Sequence, residues 1–180
     1  MSPGPVTRAA GRRGARLRLP LGWAAVDVRV ERVGPEVGLA LRQRVLRPHQ
    51  TIDELRSTSD DLPTTANYAA YAGTEVVCTA SVRREDPSWP AGDGPAWRLR
   101  GMATADGWRS RGIGAMVLDA VVQYVAAQGG GLLWCSARVP AVPFYRRAGF
   151  VTRGEEWVDP MIGPHIAMER TVEASAPAEA

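Results

Sequence analysis

The chain has no lysine, since all 22 of its basic residues are arginine. That absence excludes a Schiff-base nucleophile, a pyridoxal-phosphate lysine and the phosphate-binding lysine of a Walker A loop. Cysteine and histidine are nearly as scarce, at two each: Cys78, Cys135, His49 and His165. None of the four falls at a metal-ligand spacing, so no metal site is expected. Both cysteines lie in apolar runs that read as buried strands, the setting of reduced core thiols. No apolar run approaches the roughly 20 residues needed to span a bilayer, and no apolar leader segment follows the basic N-terminus. The expectation is a cytoplasmic protein with no membrane partner.

The formal net charge of +3 misleads, because it is concentrated at one end. Residues 1–18 hold five arginines and no acid, which leaves 17 arginines against 19 acids in the rest of the chain. Residues 1–24 therefore read as a disordered basic tail, residues 25–172 as one folded domain, and residues 173–180 as a second disordered tail. No aromatic precedes Trp23 and no nucleic-acid reader motif is present, so the tail reads as solvated, not as a nucleic-acid-binding arm. A chain of 180 residues is long enough to bury a core in one domain.

Periodicity supplies the elements. Val26, Val28 and Val30 alternate with Asp27, Arg29 and Glu31, as a half-buried strand over residues 26–33 requires. Pro35 suits the first turn of a helix to about residue 46, with Val37, Leu41 and Val45 as its stripe; Arg47-Pro48 stops it. A weaker helix over residues 52–56 leads to a loop over 57–65. Residues 68–72 and 75–82 read as a hairpin about Gly73. A loop over 83–95 precedes a strand over 96–104. Beyond Gly112, the residues Ile113, Met116, Val117, Ala120, Val121, Tyr124 and Val125 mark one buried helical face. Then come a strand over 132–135, a short helix over 140–148 ending at Gly149, and two antiparallel strands over 150–158 and 166–172. The class is α/β with a mixed sheet.

The strand, the turn over residues 105–111 and the helix from Gly112 form the geometry of an anion site. Free N–H groups and the helix dipole converge at a helix start, and Gly112 and Gly114 let a diphosphate approach the backbone. Arg109 and Arg111 add charge suited to phosphate oxygens. The turn reads Arg109, Ser110, Arg111, Gly112, Ile113, Gly114, Ala115, an Arg-x-x-Gly-x-Gly string. It lacks the lysine of a P-loop and the Gly-x-Gly-x-x-Gly of a dinucleotide fold. Alone the string is weak, because glycines at a strand–helix turn often serve only packing. Downstream, Ala141, Tyr145, Gly149 and Phe150 fall at Ala-x-x-x-Tyr-x-x-x-Gly-Phe spacing.

Together these two segments resemble the acyl-CoA-binding half of the GNAT family of N-acetyltransferases. The resemblance covers about residues 26–172 and is firmest over 99–150. It implies the acyl-CoA N-acyltransferase fold, with a mixed, mostly antiparallel central sheet flanked by helices. It implies acetyl-CoA as acyl donor, with its pyrophosphate at residues 109–115 and its pantetheine arm along the main chain of Met102, Ala103 and Thr104. An oxyanion-binding N–H near Met102 or Ala103 is implied as well. Acyl transfer to an amine needs a neutral amine, a stabilised oxyanion and a proton for the departing thiolate. Tyr145 matches the family tyrosine that supplies that proton, whereas simple aromatic packing is the structural alternative. The family often has an asparagine before the second helix; here Ser136, Ala137 and Arg138 stand instead.

The acceptor side is less defined. Ile162, Gly163, Pro164 and His165, followed by Met168, resemble a segment of a bacterial branch of the family. His165 is therefore a candidate base or acceptor contact, with a structural histidine as the open alternative. Glu155, Glu156 and Asp159 are further candidates. Arg98 and Arg100 share a strand face, and Arg100 is expected to form a salt bridge in preference to a substrate contact. Asp53, Glu54, Asp60 and Asp61 are expected to form a solvated loop. The acceptor implied is a small-molecule or peptide amine, bound between residues 37–65 and the C-terminal strands. Trp89, Trp97 and Trp157 read as surface aromatics and leave a homodimer open. A non-catalytic acyl-CoA-binding or sensing module of the same fold, and an unrelated nucleotide-binding domain, are the competing readings.

Overall fold

Among the described residues, strand β5 (Ala96–Thr104) lies near the centre of an eight-stranded sheet and makes its one parallel pairing, with β6 (Gly131–Arg138). The remaining strands are β1 (Arg16–Leu21), β2 (Ala24–Val33), β3 (Ala66–Ala72), β4 (Glu75–Arg84), β7 (Val151–Asp159) and β8 (Gly163–Val172). Their order is β1-β2-β3-β4-β5-β6-β8-β7, and every other neighbour is antiparallel. This computed structural model describes residues 16–21 and 24–176. It confirms the mixed, mostly antiparallel sheet flanked by helices.

A parallel pair needs a crossover, and α3 (Ile113–Ala127) provides it between β5 and β6. Ile113, Val117, Val121 and Val125 recur every fourth residue and are fully buried. They pack with Trp97, Leu99, Leu133 and Met168 into the main core. The short α4 (Val142–Arg147) closes the same core through Tyr145.

A bulge in β5 creates a second packing surface. The β4–β5 register slips between Thr79/Ala103 and Ser81/Arg100, and Gly101 there adopts φ +60°. One extra residue reverses the alternation. Trp97 and Leu99 face α3, whereas Ala103 joins Ala105 and Leu41 of α1 (Leu39–Leu46) in a separate cluster. A Cβ on Gly101 would lie 2.8 Å from Nε of Arg42, which α1 lays across the bulge.

Several boundaries differ from expectation. Residues 16–21, assigned to the disordered tail, form β1 and pair with β2 from Arg16↔Arg29 to Leu21↔Ala24. The arginine count hid an Arg-Leu alternation suited to a charged edge strand. The expected disorder of residues 1–15, 22–23 and 177–180 lies outside the described residues. Ser175 donates to the carbonyl of Ala126 at 2.9 Å, which fastens the chain after β8 to the end of α3. The helix expected from Pro35 begins as a 3-10 turn (Pro35–Gly38), with α1 following at Leu39. The weaker helix is α2 (Ile52–Leu55). Strand β6 continues to Arg138, because polar Ser136 and Arg138 alternate with buried Cys135 and Ala137.

Trp97 is no surface aromatic: it is 1% exposed and donates to the carbonyl of Gly130 at 3.0 Å. Trp89 stacks edge-on against Trp134 and donates to Glu169 at 2.7 Å. Of the three, Trp157 alone is well exposed, at 42%. Both cysteines are free and buried, and burial pushes their thiols up to about 11 for Cys78 and about 12 for Cys135. Neither thiol will react with a disulfide reagent at pH 8 in the folded protein, and two will react per chain after unfolding. Titration of free thiols with and without denaturant checks this.

Candidate active site

Strands β5 and β6 stay together for three pairs, Ala96↔Leu132, Trp97↔Leu133 and Arg98↔Trp134, and then part. Beyond that point β5 follows β4 through the Gly101 bulge to Thr104, while β6 follows β8 to Arg138↔His165. Between them opens a cleft of about 390 Å³. Its walls include residues 99–102 and 135–138, Tyr145, and Trp157, Asp159, Ile162 and His165 from the C-terminal strands and their connection. Leu46 and Arg47 at the end of α1 close one side.

Tyr145 is delivered by α4. Pro143 starts this helix, and Phe150 N–H returns to the Tyr145 carbonyl at 3.1 Å. The ring is 6% exposed and sits edge-on to Phe144 and Phe150. Its hydroxyl lies beside the Cys135 thiol, and burial, reinforced by Cys135 and Cys78, pushes the phenol well above its ordinary value. It is therefore a protonated donor throughout the neutral range.

His165 is 5% exposed and lines the same cleft, its ring stacked on Trp157. Its Nδ1 is 2.7 Å from the carbonyl of Gly163. A carbonyl can only accept, so this contact puts a proton on Nδ1, and in the neutral ring Nε2 is then the nitrogen with the free lone pair. Asp159 also lines the cleft, but its Oδ1 accepts from the N–H groups of Met161 and Ile162. Those bonds are the main cause of its lowered pKa. Glu155 and Glu156 are exposed on β7 and are not brought to the cleft.

The expected anion turn forms as a left-handed entry to α3. Ser110 and Gly112 take φ of 60° and 79°, and no side chain caps the helix. The first intrahelical bond near this end is Met116 N–H to Gly112 carbonyl, at 3.1 Å. The N–H groups of Ile113, Gly114 and Ala115 thus have no acceptor in the helix, and its first turn holds no acid. Gly114 has a different role: a Cβ there would sit 3.4 Å from both Met102 Cε and Phe144 Cε2 and 3.5 Å from Thr104 Oγ1. The helix start is thereby held against β5 and α4. Arg109 bonds the Thr104 carbonyl at 3.3 Å and Asp106 at 2.8 Å, and Arg111 lies over Trp108.

The acidic loop is largely structural. Glu54 completes a capping box with Thr51, Asp60 does so with Ser57, and Asp61 pairs with Arg56 at 3.7 Å. Arg98 forms an ion pair with Glu85 and lies over Trp134. Arg100 does not form the salt bridge expected of it: among the described residues it has neither ion pair nor hydrogen bond, and it faces the cleft. Sequence reasoning missed Arg42 and Arg47. The signal for Arg42 was Gly101, since an isolated glycine inside a strand marks a bulge or a close approach.

Residues 39–150 match the Acetyltransferase (GNAT) family. The chain belongs to this family and is an N-acetyltransferase by fold and descent. It is 29% identical over 146 residues to the uncharacterized N-acetyltransferase YitI of Bacillus subtilis, over 81% of this chain and 97% of that one. In fold it is similar to FeeM, an N-acyl amino acid synthase from uncultured soil microbes: TM-score 0.67, 16% identity, 82% of this chain and 92% of that one. It is also similar to the ribosomal-protein-S18-alanine N-acetyltransferase of Escherichia coli: TM-score 0.61, 14% identity, 85% and 99% covered.

Glu85 holds the back of the cleft by bonding both Arg98 and Arg83. Burial alone would raise its carboxyl, but the hydrogen bonds from Arg98 and Arg83 outweigh that, and the net shift is downward from 4.5. A depressed carboxyl stabilises the fold above its unfolded value and loses that contribution as pH falls through its folded value. Glu85→Gln should therefore cost about 1–3 kcal/mol at pH 7. The gap should close as pH drops below 4.5 in urea titrations of both proteins.

Proposed function

We propose that the protein moves an acetyl group from acetyl-CoA to a primary amine by direct attack, with Tyr145 as general acid. The observation that carries this is a juxtaposition at the end of β5: the uncapped, acid-free start of α3 packs on Met102 and Thr104, and Met102 also lines the cleft that Tyr145 and His165 share. These features fit an acyl-CoA. The N–H groups of Ile113, Gly114 and Ala115, with Arg109, Ser110, Arg111 and Gly112, would hold its diphosphate. The main chain of Met102, Ala103 and Thr104 would hold its pantetheine arm. Bound there, acetyl-CoA supplies an activated acyl thioester.

The chain's own groups supply the rest. A backbone N–H near Met102 or Ala103 donates to the carbonyl oxygen as charge develops on it. Nε2 of His165 accepts a proton from the attacking amine, consistent with the tautomer fixed by Gly163. The Tyr145 hydroxyl donates its proton to the departing sulfur, so the C–N bond forms as the C–S bond breaks and CoA leaves as a neutral thiol. The domain that does this runs from β1 to the end of β8, in the cytoplasm, where the two buried free thiols stay reduced. The acceptors named for the similar folds, an amino acid and a protein alanine, are both amines.

Calorimetric titration should show micromolar binding of acetyl-CoA and much weaker binding of ATP, which lacks the pantetheine arm. Tyr145→Phe should lower kcat by about 10²–10⁴-fold and leave acetyl-CoA affinity within a few-fold. Unchanged turnover in that variant would remove Tyr145 from the chemistry. Absence of acetyl-CoA binding would make the glycine turn purely structural.

A further inference from the structure

The cleft shared by Tyr145 and His165 has a marked excess of positive charge. Arg47, Arg98, Arg100 and Arg138 line it, with Asp159 as the one acid among the described residues of its walls. Behind it stand Arg42 and Arg83, with Glu85 and Asp60 as the acids that act on this group.

The acids in this group are already committed. Glu85 is shared between Arg98 and Arg83. Asp60 accepts from Ser57 N–H, and Asp159 caps its own turn. Arg47 and Arg138 both donate to the carbonyl of Leu46. Among the described residues none of the other arginines here has an acid of its own; of those lining the cleft, Arg100 has no hydrogen-bond partner at all, and the Nε of Arg98 is buried and unpaired. Burial, followed by Arg83, Arg98 and Arg42, pushes the Arg100 guanidinium down to about 10. A cation desolvated beside three others is costly unless an anion joins it. The proposed diphosphate position at the start of α3 does not meet this need, because none of residues 109–115 lines the cleft.

Resting on the acetyltransferase reading above, we propose that the acceptor is a small amine bearing its own carboxylate, an amino acid with an apolar side chain, whose carboxylate Arg100 and Arg98 bind. A planar guanidinium fork matches a carboxylate. The volume of about 390 Å³ suits a small molecule, and Leu46, Met102, Trp157 and Ile162 offer apolar surface to its side chain. The same charges repel polyamines and the ammonium of a basic peptide.

The test compares thiol release from acetyl-CoA for phenylalanine against phenylalaninamide and leucine against leucinamide, with spermidine and phosphoethanolamine as further acceptors. An amide has the less basic amine and presents more neutral nucleophile, so a preference for the acid runs against intrinsic reactivity. The expected preference in kcat/KM is about 10- to 100-fold for the acid, expressed mainly in KM. Arg100→Gln should collapse it to near unity while the melting temperature stays level or rises. Faster transfer to the amides or to spermidine would overturn the proposal, and preference for phosphoethanolamine over both amino acids would overturn its carboxylate assignment.

A second measurement needs no acyl donor. N-acetylphenylalanine should raise the melting temperature of the parent protein more than N-acetylphenylalaninamide does, and Arg100→Gln should abolish the difference. Arg100-dependent binding of the acid without acetyl-CoA binding would sink the acetyltransferase reading and keep the carboxylate site. Acetyl transfer without Arg100-dependent binding would do the reverse.

Discussion

The parting of β5 from β6 after three residue pairs is the constraint on which the rest of this structure depends. A parallel pair that continued would fill its own hydrogen bonds and leave no room between the strands. Instead the bulge at Gly101 turns β5 toward β4, and β6 is held by eight registered pairs with β8. The gap is built by better pairing on either side of it. Tyr145 from α4 and His165 from β8 line that gap, and the start of α3 packs beside it on the end of β5.

Two kinds of information in the sequence behaved differently. Local chemistry with a fixed geometry was legible: the Gly112 turn, the α3 stripe of Ile113, Val117, Val121 and Val125, the bounds of β5, and the Tyr145-Gly149-Phe150 spacing. Each is dictated by residues within one or two turns of chain, and the Arg-x-x-Gly-x-Gly turn and the Ala-x-x-x-Tyr spacing together carried the family resemblance. The arginine-lined wall of the cleft was not legible, because Arg47, Arg98, Arg100 and Arg138 come from the end of α1, from β5 and from β6 and meet only through tertiary packing. Arg100 reads in isolation as any strand arginine. Its lack of a partner is a property of the folded arrangement, since Glu85 is occupied by Arg98 and Arg83.

Errors of sequence reading followed the same logic. Trp97 passed for a surface aromatic because its partners, Tyr124 and the Gly130 carbonyl, are about thirty residues away. Strand β1 hid in an arginine-rich segment because composition outweighed its Arg-Leu alternation. Strand β6 was cut short because Ser136 and Arg138 are polar, although they alternate with buried residues as a half-exposed strand should. In each case the residue type was read before the neighbours that decide its environment.

The central claim is that the strand gap and the uncapped helix start form one continuous binding surface for an acyl-CoA. Amide hydrogen exchange, followed by residue with and without acetyl-CoA, tests it most directly. The account predicts new protection at residues 102–104 and at 110–115 together, in a single ligand-dependent step. Protection at the helix start alone, with residues 102–104 unchanged, would contradict it and reduce the turn to an isolated anion site.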